Sequence, residues 1–174
     1  MIPFAKGVTS GYLPLGGVLV SDRVTGTIIE EGGEFAHGFT YSGHPAACAV
    51  ALKNIELIKK ENILDSVKNT IGPYLKDKWL SLGDHPIVGE ARIKGLMGAI
   101  ELTNDKVKRS RFPSDFKAGS LCRDISIKNG LVMRAVGDSM IIAPPLVINH
   151  EQIDELVDKA RTTLDETQEA VQKL

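Results

Sequence analysis

Hydrophobic and polar positions change rhythm at Gly43. Beyond it, Ala46, Ala47, Val50, Ala51, Ile55 and Ile58 recur at helical spacing. Pro45 suits a first helical turn, where its missing N–H costs nothing, and Lys59 and Lys60 favour the negative pole at the other end. The pattern predicts a long helix over 45–60, able to bridge two domains. Ile63, Leu64, Val67, Ile71, Tyr74 and Leu75 predict a second helix, which Pro73 must kink or split. Two strands follow, Ile87–Ile93 and Met97–Leu102, joined around Lys94-Gly95. A helix over Phe116–Lys128 has Gly130 just past its end. Leu131–Val136 and Ser139–Ala143 predict a hairpin around Gly137-Asp138, stopped by Pro144-Pro145. Asn149 with Gln152 forms a capping-box pattern, and Ile153, Leu156, Val157, Ala160 and Leu164 make one apolar face of the last helix.

Residues 1–44 read differently. The tract Lys6 to Gly17 carries too many glycines and turn residues for a regular helix. Val18-Leu19-Val20 predicts a short buried strand, and Asp22–Glu31 a short helix closed by Gly32-Gly33. The expected fold class is therefore α/β. Residues 61–174 form a compact α/β domain, with strands in hairpins and helices on one face. Residues 1–44 look like the end of something larger, with backbone that needs covering and exposed apolar surface that invites association.

Composition narrows the possibilities. The 174 residues suit one domain, or one domain plus part of another. With 43% hydrophobic and 25% charged residues, the composition is that of an ordinary globular protein. The formal charge is −1, and no basic stripe interleaves with aromatics, which disfavours nucleic acid. No apolar run approaches the roughly 18 residues of a membrane span, and the first residues lack a secretory pattern. Cys48 and Cys122 make no disulfide framework and read as buried free thiols, which fits a reducing, cytoplasmic compartment.

Two tracts suggest chemistry. Lys6 lies among Ile2, Phe4, Ala5 and Val8, beside a glycine-rich turn. A lysine drawn into apolar surroundings loses its proton more readily, and its amine can then attack a carbonyl. The plain alternative is a solvated surface lysine. The second tract, Phe35-Ala36-His37-Gly38-Phe39-Thr40-Tyr41-Ser42-Gly43-His44-Pro45, ends at a helix N-terminus, where hydroxyls and N–H groups suit a phosphate. Its plain alternative is a capping loop, with Ser42 or Thr40 as the cap. His37 and His44 have no neighbouring carboxylate or cysteine to complete a metal set, so no metal is expected.

The string Ala5-Lys6-Gly7-Val8-Thr9-Ser10-Gly11-Tyr12-Leu13-Pro14-Leu15-Gly16-Gly17 resembles the cofactor-lysine segment of class III, pyridoxal-phosphate-dependent aminotransferases. Phe35 to Pro45 resembles a second signature of that family. Gly95 to Leu102 resembles a third, and Pro144-Pro145-Leu146 with Ile153-Asp154-Glu155 a fourth, all in family order. The resemblance implies the C-terminal part of a fold-type I transferase. Residues 1–60 would be a remnant of the large cofactor-binding domain with its bridging helix, and 61–174 the small domain. It implies pyridoxal 5'-phosphate as cofactor, carried by Lys6. Phe39 and Thr40 would also contact the cofactor, Thr40 binding its phosphate across a homodimer interface. Arg134 would pair with a substrate carboxylate through its planar fork, as in the pyruvate-using ω-amino-acid branch. Arg92 is the rival, expected to be structural. The implied reaction moves an amino group from an amino acid or amine to a keto acid, pyruvate. A complete family member is longer, the part missing here being N-terminal, with the phosphate loop, the stacking aromatic and the aspartate that meets the ring nitrogen. Two other readings stay open: a non-catalytic assembly module, and an aminomutase or ornithine-type member of the superfamily.

Overall fold

Ile2–Ala5 (β1) and Gly16–Leu19 (β2) pair antiparallel, Ile2 opposite Leu19 and Ala5 opposite Gly16. This ribbon opens a computed structural model that describes residues 1–113 and 115–173. The chain divides into two compact units, Met1–Asn62 and Ile63–Leu174.

In the first unit β1 runs directly into a 3-10 turn, Lys6–Thr9. Thr9 is buried there, and its hydroxyl donates to the Leu13 carbonyl at 2.6 Å. The strand expected over Val18–Val20 is in fact Gly16–Leu19, and it is not buried: Val18 and Leu19 are 54% and 60% exposed. A lone two-stranded ribbon has no second layer to cover it within the unit. Its partner β1 went unexpected because Pro3 interrupts a run of only four residues. Helix α1, Asp22–Glu31, closes as expected, with Gly32 N–H donating to the Ile28 carbonyl and Gly33 taking φ +64°. Helix α2 spans Pro45–Lys60 and buries Ala47 and Ala51. Its cap is neither Ser42 nor Thr40 but His44, whose Nδ1 accepts from Ala47 N–H at 3.4 Å. Cys48 on this helix is half-buried rather than buried.

The second unit begins with α3, Ile63–Ser66, a widened π turn, Val67–Ile71, and α4, Gly72–Leu80. The turn is how the chain accommodates Pro73. Proline lacks the N–H and its ring clashes with the carbonyl four residues back in a regular helix. Here Gly72 N–H donates to the Val67 carbonyl five residues back, and a Cβ on Gly72 would lie 2.2 Å from that oxygen.

Four antiparallel strands follow in spatial order β3-β4-β6-β5: β3 Val88–Lys94, β4 Met97–Leu102, β5 Arg134–Val136 and β6 Ser139–Ile142. The strand expected over Leu131–Val136 is shorter because α5, Ala118–Lys128, holds its far end. Gly130 N–H donates to Ile127 and Leu131 N–H to Ser126, a helix-ending pair that takes Leu131 out of the sheet. Helix α5 also starts later than the expected Phe116. That residue closes a turn onto the Pro113 carbonyl and stacks on Phe112, ring centroids 5.6 Å apart. Helix α6, His150–Gln172, has the expected capping box, Asn149 and Gln152 each accepting from the other's backbone N–H.

One core joins α4, α5, α6 and the sheet around Leu75, Trp79, Ile100, Met140, Ile153 and Leu164. The Trp79 indole N–H donates to the Ala99 carbonyl at 3.3 Å. Gly98 makes room for the ring, since a Cβ there would sit 2.8 Å from the indole nitrogen. Burying that aromatic surface is worth several kcal/mol on the usual scale of about 25 cal/mol per Å2.

Candidate functional site

The strand β1 delivers Lys6 onto the first position of the 3-10 turn, with backbone φ of 51°. A non-glycine residue in this left-handed region costs roughly 1–2 kcal/mol, and such strain persists only where the surroundings over-determine it. Ser10, at the other end of the turn, shares the conformation. Thr9 Oγ1 donates to both Lys6 and Leu13 carbonyls, and the side-chain amide of Asn54, from α2, donates to the Gly7 and Val8 carbonyls at 3.0 and 3.1 Å.

Lys6 itself is exposed and makes no ion pair among the described residues. The apolar enclosure expected around it is not built, because Ile2, Phe4 and Ala5 are exposed too and Val8 is half-buried. What stands beside it is an open groove of Ala5, Thr9, Gly11, Leu13, Pro14, Leu15 and Gly16. No acidic side chain lines that groove. Gly7 and Gly11 leave open space where a Cβ would stand. An amine without a carboxylate partner, beside apolar walls and bare backbone, suits a planar aldehyde.

The tract before α2 folds into a tight turn. Phe39 N–H donates to Ser42 Oγ at 3.0 Å, and Ser42 N–H returns to the Phe39 carbonyl at 2.9 Å. Thr40 sits exposed at the tip, and Phe39 and Tyr41 are each 80% exposed. His37 is held edge-on between Phe35 and Phe39, at 5.7 and 5.9 Å, and His44 caps α2. Exposed apolar residues thus gather in the first unit, from Ile2 and Tyr12 to Phe35 and Phe39, as anticipated for residues 1–44.

In the second unit Arg134 is exposed on the edge strand β5, opposite Ile141, and its guanidinium has no ion-pair partner among the described residues. Arg92 is engaged, at 2.5 Å from Glu101 and 3.5 Å from Glu90. The Ser139 hydroxyl, 2.6 Å away, holds the Glu101 carboxyl below its usual range, and Arg92 adds to the effect. Arg92 is thus held within its own sheet, where a structural role was expected. On α6, Asp154 accepts from Tyr74 at 2.9 Å and pairs with Lys78 at 2.8 Å, a brace back to α4 that lowers its pKa. Burial pushes the Cys122 thiol up, leaving it a packing residue. The wide hollow of this unit, about 1110 Å3 and lined by Glu90, Glu101, Arg109, Arg111 and Asp138, contains none of the candidate site residues Lys6, Phe39, Thr40 and Arg134.

Two residues of the Lys6 turn escaped sequence reasoning. Thr9 passed as a turn hydroxyl. Asn54 sits in an otherwise regular helical pattern, where an asparagine competes with the backbone and has low propensity. That misfit was the available signal.

Aminotransferase class-III, as a family, matches residues 1–164. A putrescine–pyruvate aminotransferase of Pseudomonas aeruginosa is 54% identical over 171 residues, covering 98% of this chain and 37% of its own length. A chloroplastic gamma aminobutyrate transaminase of Solanum lycopersicum is 38% identical over 177 residues, covering 100% and 34%. Among solved structures, an (S)-enantioselective omega-transaminase from Thermomicrobium roseum superposes with a TM-score of 0.89 at 41% identity, over 95% of this chain and 37% of that one. A PMP-bound aminotransferase from Vibrio fluvialis gives 0.89 at 32% identity, over 95% and 37%. The chain spans a little over a third of the length of the relatives it matches.

Proposed function

The chain belongs to the class III aminotransferases, and on that footing we propose that it carries the catalytic lysine of an enzyme moving an amino group from an amine or amino acid to pyruvate. The cofactor of this family is pyridoxal phosphate. The observation that carries the reading is Lys6: exposed, unpaired among the described residues, left-handed in backbone, and set beside an acid-free groove. When bound, the cofactor withdraws electrons from the carbon whose proton must leave.

The side chains then have separate tasks. Lys6 would hold the cofactor through its amine; once the donor's amine displaces it, the freed Nζ would take the proton from the donor's amine-bearing carbon as a base and give it to the cofactor's carbon as an acid. The exposed Thr40 hydroxyl, with Phe39 beside it, serves the cofactor phosphate of a second copy, which makes the protein a homodimer. Arg134 offers two parallel N–H groups to a carboxylate. A small diamine or ω-amino acid as donor, and pyruvate as acceptor, are supported by the relative named for putrescine and pyruvate. Residues 1–60 belong to the cofactor-binding domain in this reading and 61–174 to the small domain. The unpaired Cys48 and Cys122 accord with a cytoplasmic setting. No described helix is long and apolar enough to cross a membrane.

The test uses the whole protein incubated with pyridoxal phosphate, reduced with borohydride, digested and weighed. A pyridoxyl mass on the Lys6 peptide, absent in Lys6→Ala, is expected, together with alanine formed from pyruvate only when Lys6 is present. Label confined to other lysines would end this assignment.

A further inference from the structure

We propose that Asn54 is a positioning residue for Lys6, holding the lysine's turn in the conformation from which its amine works; this rests on the reading of Lys6 above. The turn has four carbonyls to satisfy. Thr9 Oγ1 reaches the Lys6 carbonyl at 3.4 Å, Ser10 N–H the Gly7 carbonyl at 3.1 Å, and Tyr12 N–H the Thr9 carbonyl at 3.1 Å. All of these are local. The tie from outside comes from Asn54, one turn and a half from the end of α2, more than forty residues away in sequence. Its single amide group spends both hydrogens on successive carbonyls, Gly7 at 3.0 Å and Val8 at 3.1 Å. Two hydrogens of one planar group fix the direction of two peptide planes at once, and so the exit of the chain from Lys6.

The strained backbone makes that tie matter. Lys6 and Ser10 both stand at φ 51°, and the intervening residues are a short 3-10 turn of poor intrinsic stability. Without a donor from α2, the Gly7 and Val8 peptides can rotate towards water. Lys6 can then relax to ordinary backbone, moving the root of its side chain. Helix α2 is the anchored partner: Ala51, one turn before Asn54, is buried, and Asn54 itself is half-buried. Misplacement of a catalytic group by about 1 Å can lower a rate a hundredfold.

The experiment uses the whole protein with pyridoxal phosphate and compares Asn54→Asp, Asn54→Ala and Asn54→Gln with the parent. Aspartate keeps the shape but sets oxygens against carbonyls; alanine removes the donors without adding charge; glutamine keeps an amide. Four readouts are taken: circular dichroism, borohydride-fixed label on Lys6, the pH midpoint of the cofactor absorbance without substrate, and the single-turnover rate with amine donor against its apparent affinity. Expected is a folded Asn54→Asp or Asn54→Ala protein still labelled at Lys6, with a displaced absorbance midpoint. Its single-turnover rate falls about tenfold or more at little-changed affinity, and Asn54→Gln recovers part of it. If both folded variants keep the parent's midpoint and rate, the positioning role is wrong while Lys6 stands. If all three variants lose folding and rate in parallel, Asn54 is a structural tie only and the proposal fails. If the parent carries no label on Lys6, the reading beneath it fails first.

Discussion

In the unit Ile63–Leu174, Leu75, Trp79, Ile100, Met140, Ile153 and Leu164 are fully or almost fully hidden from solvent; in Met1–Asn62 the described apolar residues that reach that state are Ala47 and Ala51 alone. The first unit keeps its large apolar groups outside instead, among them Ile2, Tyr12, Leu19, Phe35 and Phe39. Yet the first unit holds the lysine, the strained turn and the aromatic-rich tract. On the proposed reading, chemistry and self-sufficient packing are divided between two stretches of one chain. Stability measured on this chain should then report mainly the second unit, and cofactor labelling the first.

The strongest way to break this contrast is at Trp79. Replacing it with alanine empties the centre of the second unit and strands the Ala99 carbonyl, and should cost about 3–5 kcal/mol. Urea melts followed by circular dichroism would show it, and a loss below about 1 kcal/mol would mean that the core is not cooperative. A smaller effect is expected from acid. Glu101 has its folded pKa depressed, first by the Ser139 hydroxyl and then by Arg92. Its contribution is therefore present above the unfolded value of about 4.3 and is lost as pH falls through the lower folded value. The group is about a third exposed, so solvent screening holds the effect to under about 1 kcal/mol. Melting of the parent should fall more steeply between about pH 5 and 3 than melting of Glu101→Gln, and parallel curves would refute the linkage. The smallest change belongs to the first unit. Leu19→Ser alters an exposed ribbon side chain and should move the stability of this chain by less than about 0.5 kcal/mol, whereas a core leucine such as Leu75→Ala should cost about 2–5 kcal/mol in the same urea melts.

Periodicity revealed the second unit almost completely, because there each apolar stripe has a partner to pack on. The β3–β4 strands and the Asn149 capping box stand where the pattern puts them, as α2 does in the first unit. It misjudged places where local hydrogen bonds outrank pattern. Leu131 is claimed by the end of α5, Phe116 by the turn onto Pro113, and the helix start by His44 instead of a hydroxyl. In the first unit, hydrophobic residues predicted burial that the unit itself does not supply, so Val18 and Leu19 misled. Lys6 stood out in the sequence through its motif and its glycines, and the structure adds its left-handed turn. Asn54 left only a weak local signal, a polar misfit in a helical pattern, and nothing near it pointed to a partner more than forty residues away.

The widened turn at Val67–Ile71 also sets the phase of a helix. Ile63, Val67, Ile71, Leu75 and Trp79 fall at strict intervals of four. Each such step overshoots a revolution of an α-helix by about 40°, so after four steps the stripe would have wound nearly to the far side. A turn that takes more residues per revolution subtracts from that winding. The last four of these side chains stay on the inner half of the rod, with Ile71, Leu75 and Trp79 buried and Val67 packed against the same cluster. The proline and its detour thus act as a gear that keeps a four-residue repeat aligned with a core that a straight helix would have drifted past.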